Sequence, residues 1–268
     1  MSIKTKVILK MENVTKTFGG VVAVNDFSME LSEDKNVGII GPNGAGKTTV
    51  FNLISGIYKP DTGRISLFDQ DVTGFPQEKI AVLGLGRTFQ NIRLFAELSV
   101  LDNVRCARDH AGGYSMIETM LFLPRFRKNE KRIREEAREY LHIVGLSQYE
   151  HERPANLPYG IQRRLEIARA LAMRPKILML DEPAAGLNTE ELFELIDFIR
   201  SIKERFSLSL LMIEHKMDFI MELCDTIYVQ DFGNNLAVGP PDVIQDDPKV
   251  IAAYLGGSGR GGNSAATS

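Results

Sequence analysis

The chain has 268 residues, 44% of them hydrophobic and 25% charged, with a formal net charge of −3. That is enough apolar material for a packed core, and it leaves no cationic excess to hold a nucleic acid by electrostatics alone. The two cysteines, Cys106 and Cys224, stand far apart in sequence, which argues against a disulfide framework or a Cys-based zinc site and suggests a reducing compartment.

In chain order, the opening residues 1–14 scatter charge without an apolar block and do not read as a secretory signal. No run approaches the roughly 18 apolar residues of a spanning helix, so any membrane role is expected to be peripheral. Three short apolar segments, Asn36 to Gly41, Lys176 to Pro183 and Leu208 to His215, alternate with helical periodicity, as parallel strands buried on both faces do. Each ends in glycine, acid or histidine, at the edge where open α/β sheets place their ligands. A helix is expected after the first strand, carried by Val50, Phe51, Leu53, Ile54 and Ile57. Another is expected after Asn188, which with Glu191 fits a capping box ahead of the stripe Leu192, Leu195, Ile196, Ile199 and Ile202. The stretch from Arg125 to Leu141 reads as a charged, solvated helix, with a surface near lipid phosphates as the alternative. The Gly/Ser-rich end, 256–268, reads as a disordered tail.

Gly41, Pro42, Asn43, Gly44, Ala45, Gly46, Lys47 and Thr48 match the G-x-x-x-x-G-K-[ST] pattern in full, between a predicted strand and a predicted helix. Such a loop turns backbone N–H groups toward a polyphosphate, with Lys47 reaching the outer phosphates and Thr48 placed to ligate Mg²⁺; Thr49 completes the cradle. In the second strand, Asp181 emerges where it can orient Mg²⁺, and the adjacent Glu182 points to a different side as a candidate general base.

With these motifs in hand, the chain resembles the ATP-binding subunits of ABC transporters over residues 8–255. The resemblance implies an α/β fold, a P-loop NTPase (RecA-like) core with a helical subdomain and an antiparallel β subdomain. The core would span about 8–93 and 174–255, and the helical part about 94–173. It implies that Phe18 stacks on adenine, that Gln90 contacts Mg²⁺ and the attacking water, and that His215 reaches the γ-phosphate. Lys47, Glu182, His215 and Gln90 would then be the catalytic set, with Thr48, Gln90 and Asp181 on the metal.

Leu157 to Ile161 occupies the place of the family's signature, at the start of a helix expected from about Gln162 to Ala172. Pro158, Tyr159, Gly160 and Gln162 would present that helix N-terminus to the ATP of a partner cassette. Pro158 stands where the family has a hydroxyl. Either Pro158 merely starts the helix and Gly160 with the helix N-terminus suffices, or this signature serves its partner's site poorly.

Within the family, the sequence around the signature, the insert after residue 110 and the C-terminal segment resemble the ATPases of branched-chain amino acid importers. Related urea or amide importers and lipopolysaccharide export are the alternatives, and a soluble ABC ATPase is more distant. The implied partners are two transmembrane permease subunits, a second non-identical ABC ATPase and, indirectly, an extracytoplasmic solute-binding protein, with no nucleic acid. The implied location is peripheral, on the cytoplasmic face of the inner membrane, with ATP and Mg²⁺ as cofactors. Leu94 and Phe95 are candidates for an exposed apolar contact with the permeases, with a buried core role as the equal alternative.

Overall fold

The computed structural model describes residues 6–109 and 124–257. Two sheets organise the chain. The first is antiparallel, in the order β2 (Val21–Ser32), β1 (Val7–Phe18), β4 (Thr62–Leu67), β5 (Gln70–Asp71). The second runs β10 (Asn234–Gly239), β9 (Thr226–Asp231), β3 (Asn36–Ile40), β8 (Ser209–Ile213), β7 (Ile177–Asp181), β6 (Leu85–Arg87). It is parallel throughout except for its β10 edge.

Every residue of β3, β7 and β8 is buried, because the pleat sends alternate side chains into two separate cores. Val37, Ile39, Ile177, Met179, Leu211 and Ile213 pack toward the antiparallel sheet and α1 (Lys47–Ile54). Ile40, Leu178, Leu180, Leu210 and Met212 pack toward the helices on the other face. This is why the three segments read as unbroken apolar runs instead of alternating ones.

Those helices are α3 (Val100–Asp109), α4 (Pro124–Ile143), α5 (Tyr159–Ala172), α6 (Thr189–Phe206) and α7 (Met217–Leu223); α2 (Gln77–Val82), α8 (Pro241–Gln245) and α9 (Pro248–Gly257) complete the described elements. Both halves of the Asn188 capping box are present, and the whole expected stripe of α6 is buried.

Three boundaries differ from expectation. α1 stops at Ile54, because Gly56 turns the chain with φ +75°, and Ile57 lies beyond the helix, 40% exposed. α5 begins at Tyr159, three residues before the expected Gln162, because the Pro158 carbonyl already accepts the N–H groups of Ile161 and Gln162. α9 continues to Gly257, two residues into the segment read as a tail; the remainder of that segment, and most of the insert after residue 110, lie outside the described residues.

Candidate nucleotide site

β3 delivers the chain into the P-loop at the C-terminal edge of the parallel sheet. Gly41 has φ +151°, and a Cβ there would meet the Gln230 carbonyl at 2.0 Å; at Gly46, φ +103°, it would meet the Ala23 carbonyl at 2.1 Å. Only glycine lets the loop thread between β9 and β2 at both points. From the other side the loop is held by the Gly233 N–H, which donates to the Ala45 carbonyl at 2.9 Å. Gly44 is exposed at φ +81° with nothing near its Cβ position, and Pro42, Asn43, Thr48 and Thr49 all retain solvent contact.

Lys47 opens α1 and folds back over the loop. Its Nζ donates to the Gly41 and Pro42 carbonyls at 2.8 and 2.9 Å, and burial pulls its pKa below the ordinary lysine value, with Glu182 and Asp181 opposing that shift. The ammonium is thus desolvated at the mouth of a ring of backbone amides, where an anion gains most from it.

β7 ends in the two acids. Asp181 is buried, and its Oδ2 accepts from Arg87 Nη2 at 2.9 Å. Burial pushes its carboxyl pKa up, against the pull of Arg87. Arg87 also donates to Asn52 and Ser55 of the P-loop helix side, so it ties β6 to both α1 and β7. Sequence reading passed over Arg87; its place three residues before Gln90 was the available signal.

Glu182 adopts φ +47°, a left-handed conformation that costs a non-glycine residue about 1–2 kcal/mol. The turn swings its carboxylate away from Asp181 and into a cluster: Gln90 Nε2 donates to one oxygen at 3.0 Å, and His215 Nε2 stands 3.0 Å from the other. Gln90, Glu182 and His215, drawn from three separate segments, are therefore brought together on the mouth of the P-loop.

Two further polar groups hold this cluster, and neither was found from sequence. Glu214, 2% exposed, accepts N–H groups from Ala184 and His215 and so fixes the loop after Glu182 to the end of β8; burial raises its pKa. Its position beside His215 at the end of an apolar run was the only hint. Arg163, 1% exposed, donates to the backbone carbonyls of Phe89 and Gln90 and to the Glu166 carboxylate, while Glu166 accepts the Phe89 N–H. The α5 helix is thereby bonded to the backbone of Gln90.

The signature residues lie at the N-terminus of the same helix, within about one turn of Arg163. Pro158 is the N-cap of α5 with φ −54°. Tyr159 is 45% exposed and its hydroxyl accepts from Arg163 Nη2 at 2.9 Å; the Gln162 side chain donates to the Leu157 carbonyl, and Gly160 has open space about it. Phe18, at the end of β1, is 41% exposed, edge-on to Tyr58 at 5.0 Å and beneath the Lys16 ammonium.

Among the described residues no group of three or more His, Cys, Asp or Glu side chains could hold a metal by itself. The Asp181 carboxylate and the exposed Thr48 offer an incomplete set of hard oxygen ligands. That fits Mg²⁺ brought in with phosphate oxygens and water, and does not fit an all-protein metal cage.

A separate cleft of about 490 Å³ opens beside β6, walled by Ile80, Ala81, Phe89, Phe95, Ala107 and Ala170. Cations cap its aromatic rings: Arg93 over Phe89 at 4.4 Å and Arg169 over Phe95 at 4.7 Å. Phe95 is 50% exposed here, whereas Leu94, expected to share that role, packs against the core.

Loop, acid pair and sheet order together define a P-loop nucleotide-binding cassette. The chain belongs to the ABC transporter family, whose profile matches residues 24–185, and a second profile, described as a branched-chain amino acid ATP-binding cassette transporter, matches residues 235–259. It is 43% identical to the high-affinity branched-chain amino acid transport ATP-binding protein LivG of Salmonella typhimurium, over 93% of this chain and 98% of that one. It is 34% identical to the lipopolysaccharide export system ATP-binding protein LptB of Acidithiobacillus ferridurans, over 93% and 95% of the two chains. The crystal structure of the ADP conformation of an ABC transporter's ATP-binding cassette superposes with a TM-score of 0.82 at 30% identity, covering 94% of this chain and 100% of that one.

Proposed function

We propose that this chain is the ATP-hydrolysing subunit of a membrane importer for branched-chain amino acids. The observation that carries the transport reading is the near end-to-end 43% identity to a subunit bearing that name, supported by the family-specific segment over residues 235–259. The wider distance to the lipopolysaccharide exporter, 34% over the same share of the chain, favours import over export.

In this reading Phe18 faces adenine and the P-loop from Gly41 to Thr49 holds the phosphates. Mg²⁺, bound through Thr48, Asp181 and Gln90, would neutralise phosphate charge and fix its geometry. Glu182 takes the proton of the attacking water. Each of its oxygens is engaged once, by Gln90 and by His215, and each keeps a further lone pair that can accept from water. His215 turns toward the γ-phosphate, and Gln90 holds the water.

Pro158, Tyr159, Gly160 and Gln162 serve the nucleotide of a second, non-identical cassette. Contact with both subunits only in the closed pair makes nucleotide binding and closure one equilibrium. Two permeases dock in the cleft lined by Phe89 and Phe95, between the core and a helical lobe of about residues 94–173. Loading comes from a solute-binding protein on the far side of the membrane. No helix among the described residues is long and apolar enough to cross a bilayer, which accords with a peripheral position on the cytoplasmic face.

The test is affinity purification of the subunit from its native membranes in mild detergent, with identification of co-eluting chains and assay of phosphate release. Two permeases, a different cassette and release stimulated by a branched-chain amino acid with its binding protein are expected. Recovery of soluble partners alone would overturn the reading.

A further inference from the structure

Charge is distributed along α4 in a way that folding does not require. Its first eleven residues, 124–134, hold six basic side chains and one acidic; the nine that follow, 135–143, hold three glutamates and one arginine. A helix favours the opposite order, since its N-terminus carries the positive end of the macrodipole. The first turn of α4 contains no acid at all.

The second half of the helix accounts for itself. Ala137, Tyr140 and Leu141 are buried in the core shared with α3 and α5, and Glu136 is held by Arg108 of α3 and Arg174. In the first half Ile133 is buried, and Arg132 reaches Asn129 and Glu136. Arg127, Lys128 and Arg134 are exposed and make no ion pair among the described residues; Lys131 reaches only the exposed Glu135, and its side chain is 80% exposed. Spaced at i, i+4 and i+7, Arg127, Lys131 and Arg134 share one face, with Lys128 and Arg132 beside it.

The position of this half relative to the cleft is fixed by the anchors. Arg108 follows Ala107, which lines the cleft, and Arg174 follows Met173, which also lines it. Glu136 is thus anchored by two residues that each adjoin a cleft-lining one, and residues 124–135 lead up to that anchor over roughly 18 Å at the rise of an α-helix. A cleft that receives permease segments opens toward the bilayer.

We propose that the N-terminal half of α4 docks on anionic lipid headgroups, with Arg127, Lys128, Lys131 and Arg134 as the contacting cations. The proposal rests on the membrane-transport reading for its orientation, but not for its test. Cations that oppose the macrodipole in solution gain in the negative potential of a phospholipid surface, which attracts each of them independently. An acidic permease loop would be the competing occupant, but a loop would need geometry matched to several cations, whereas a headgroup surface needs only their common face.

The experiment is co-sedimentation of the purified full chain, without permeases, with vesicles of equimolar phosphatidylglycerol and phosphatidylcholine, and with vesicles of phosphatidylcholine alone. Binding to the anionic vesicles only is expected, lost between about 50 and 500 mM salt as screening shortens. The triple variant Arg127→Gln, Lys128→Gln, Arg134→Gln should bind at least on the order of tenfold more weakly, with its circular dichroism unchanged. A control variant neutralising Lys6, Lys59 and Lys249 should bind as the parent does. Equal binding of parent and triple variant, or equal binding to both vesicle types, would overturn the proposal. So would a triple variant that binds vesicles normally but no longer co-purifies with permeases, which would assign the face to protein. Co-purification of the parent chain tests the transport reading separately.

Discussion

Arg87 and Asp181 form an ion pair at 2.9 Å in which the two side chains are only 5% and 4% exposed. The pair joins the third residue of β6 to the last of β7, directly beneath the phosphate loop. Removing one partner leaves a buried charge unmatched. Arg87→Ala should therefore lower the unfolding free energy by about 3–5 kcal/mol at neutral pH, measured by urea denaturation. The loss should shrink on acidification, because burial already raises the Asp181 pKa and a protonated carboxyl no longer needs the guanidinium. A loss independent of pH would mean that Arg87 matters for packing over the rings of Phe51 and Phe89 instead.

Glu182 is the expected general base, and its substitution separates binding from chemistry. Glu182→Gln should retain nucleotide affinity and lose roughly 10² to 10⁴ in turnover. Phosphate release by the assembled transporter, set beside a nucleotide titration of the same sample, checks both. Turnover at the parent rate would remove Glu182 from the mechanism.

Glu214 makes a prediction with a definite sign. Its pKa is raised in the folded chain by burial. The native state thus binds the proton more tightly than the unfolded state. The stabilising contribution is complete below the ordinary glutamate range and is lost as pH rises through the elevated folded value. Glu214→Gln abolishes that dependence, so the melting temperature of the parent relative to the variant should rise as pH falls from about 8 to about 5. Because Glu214 holds both Ala184 and His215, the variant should also lose turnover. A pH-independent difference in melting temperature would contradict the assignment.

Pro158 tests whether the unusual signature is a defect. Its carbonyl already seeds α5, and Tyr159 is tied back to Arg163, so the helix terminus is formed without a side-chain cap. Pro158→Ser is expected to leave turnover of the assembled transporter within about twofold, while a serine N-cap adds roughly 0.5–2 kcal/mol to stability. A several-fold rise in turnover would instead mark this signature as the weak half of an asymmetric pair.

The parts of the site that were legible in sequence are those carried by consecutive residues. The P-loop needs its glycines, lysine and hydroxyl within one turn, and the acid pair needs a short apolar strand before it, so both patterns survive as strings. The α6 capping box is equally local. Arg87, Arg163 with Glu166, and Glu214 were missed because their significance is in partners up to 94 positions away and in burial that a charged residue does not advertise. Leu94 and Phe95 could not be told apart for the same reason: neighbours in sequence, one faces the core and the other the cleft. The boundary of α5 is not legible in the string, because it is set by which backbone carbonyl, that of Pro158, first accepts an N–H.

The bonds from Arg163 to the carbonyls of Phe89 and Gln90 give the molecule a mechanical interlock. A rod of 14 residues carries the signature residues at its tip and, one turn along, grips the backbone of Gln90, whose side chain reaches Glu182. A displacement of that rod would carry the backbone of Phe89 and Gln90 with it. The rod also forms a wall of the cleft. A load applied there would be felt at the carboxylate without any change in the phosphate loop.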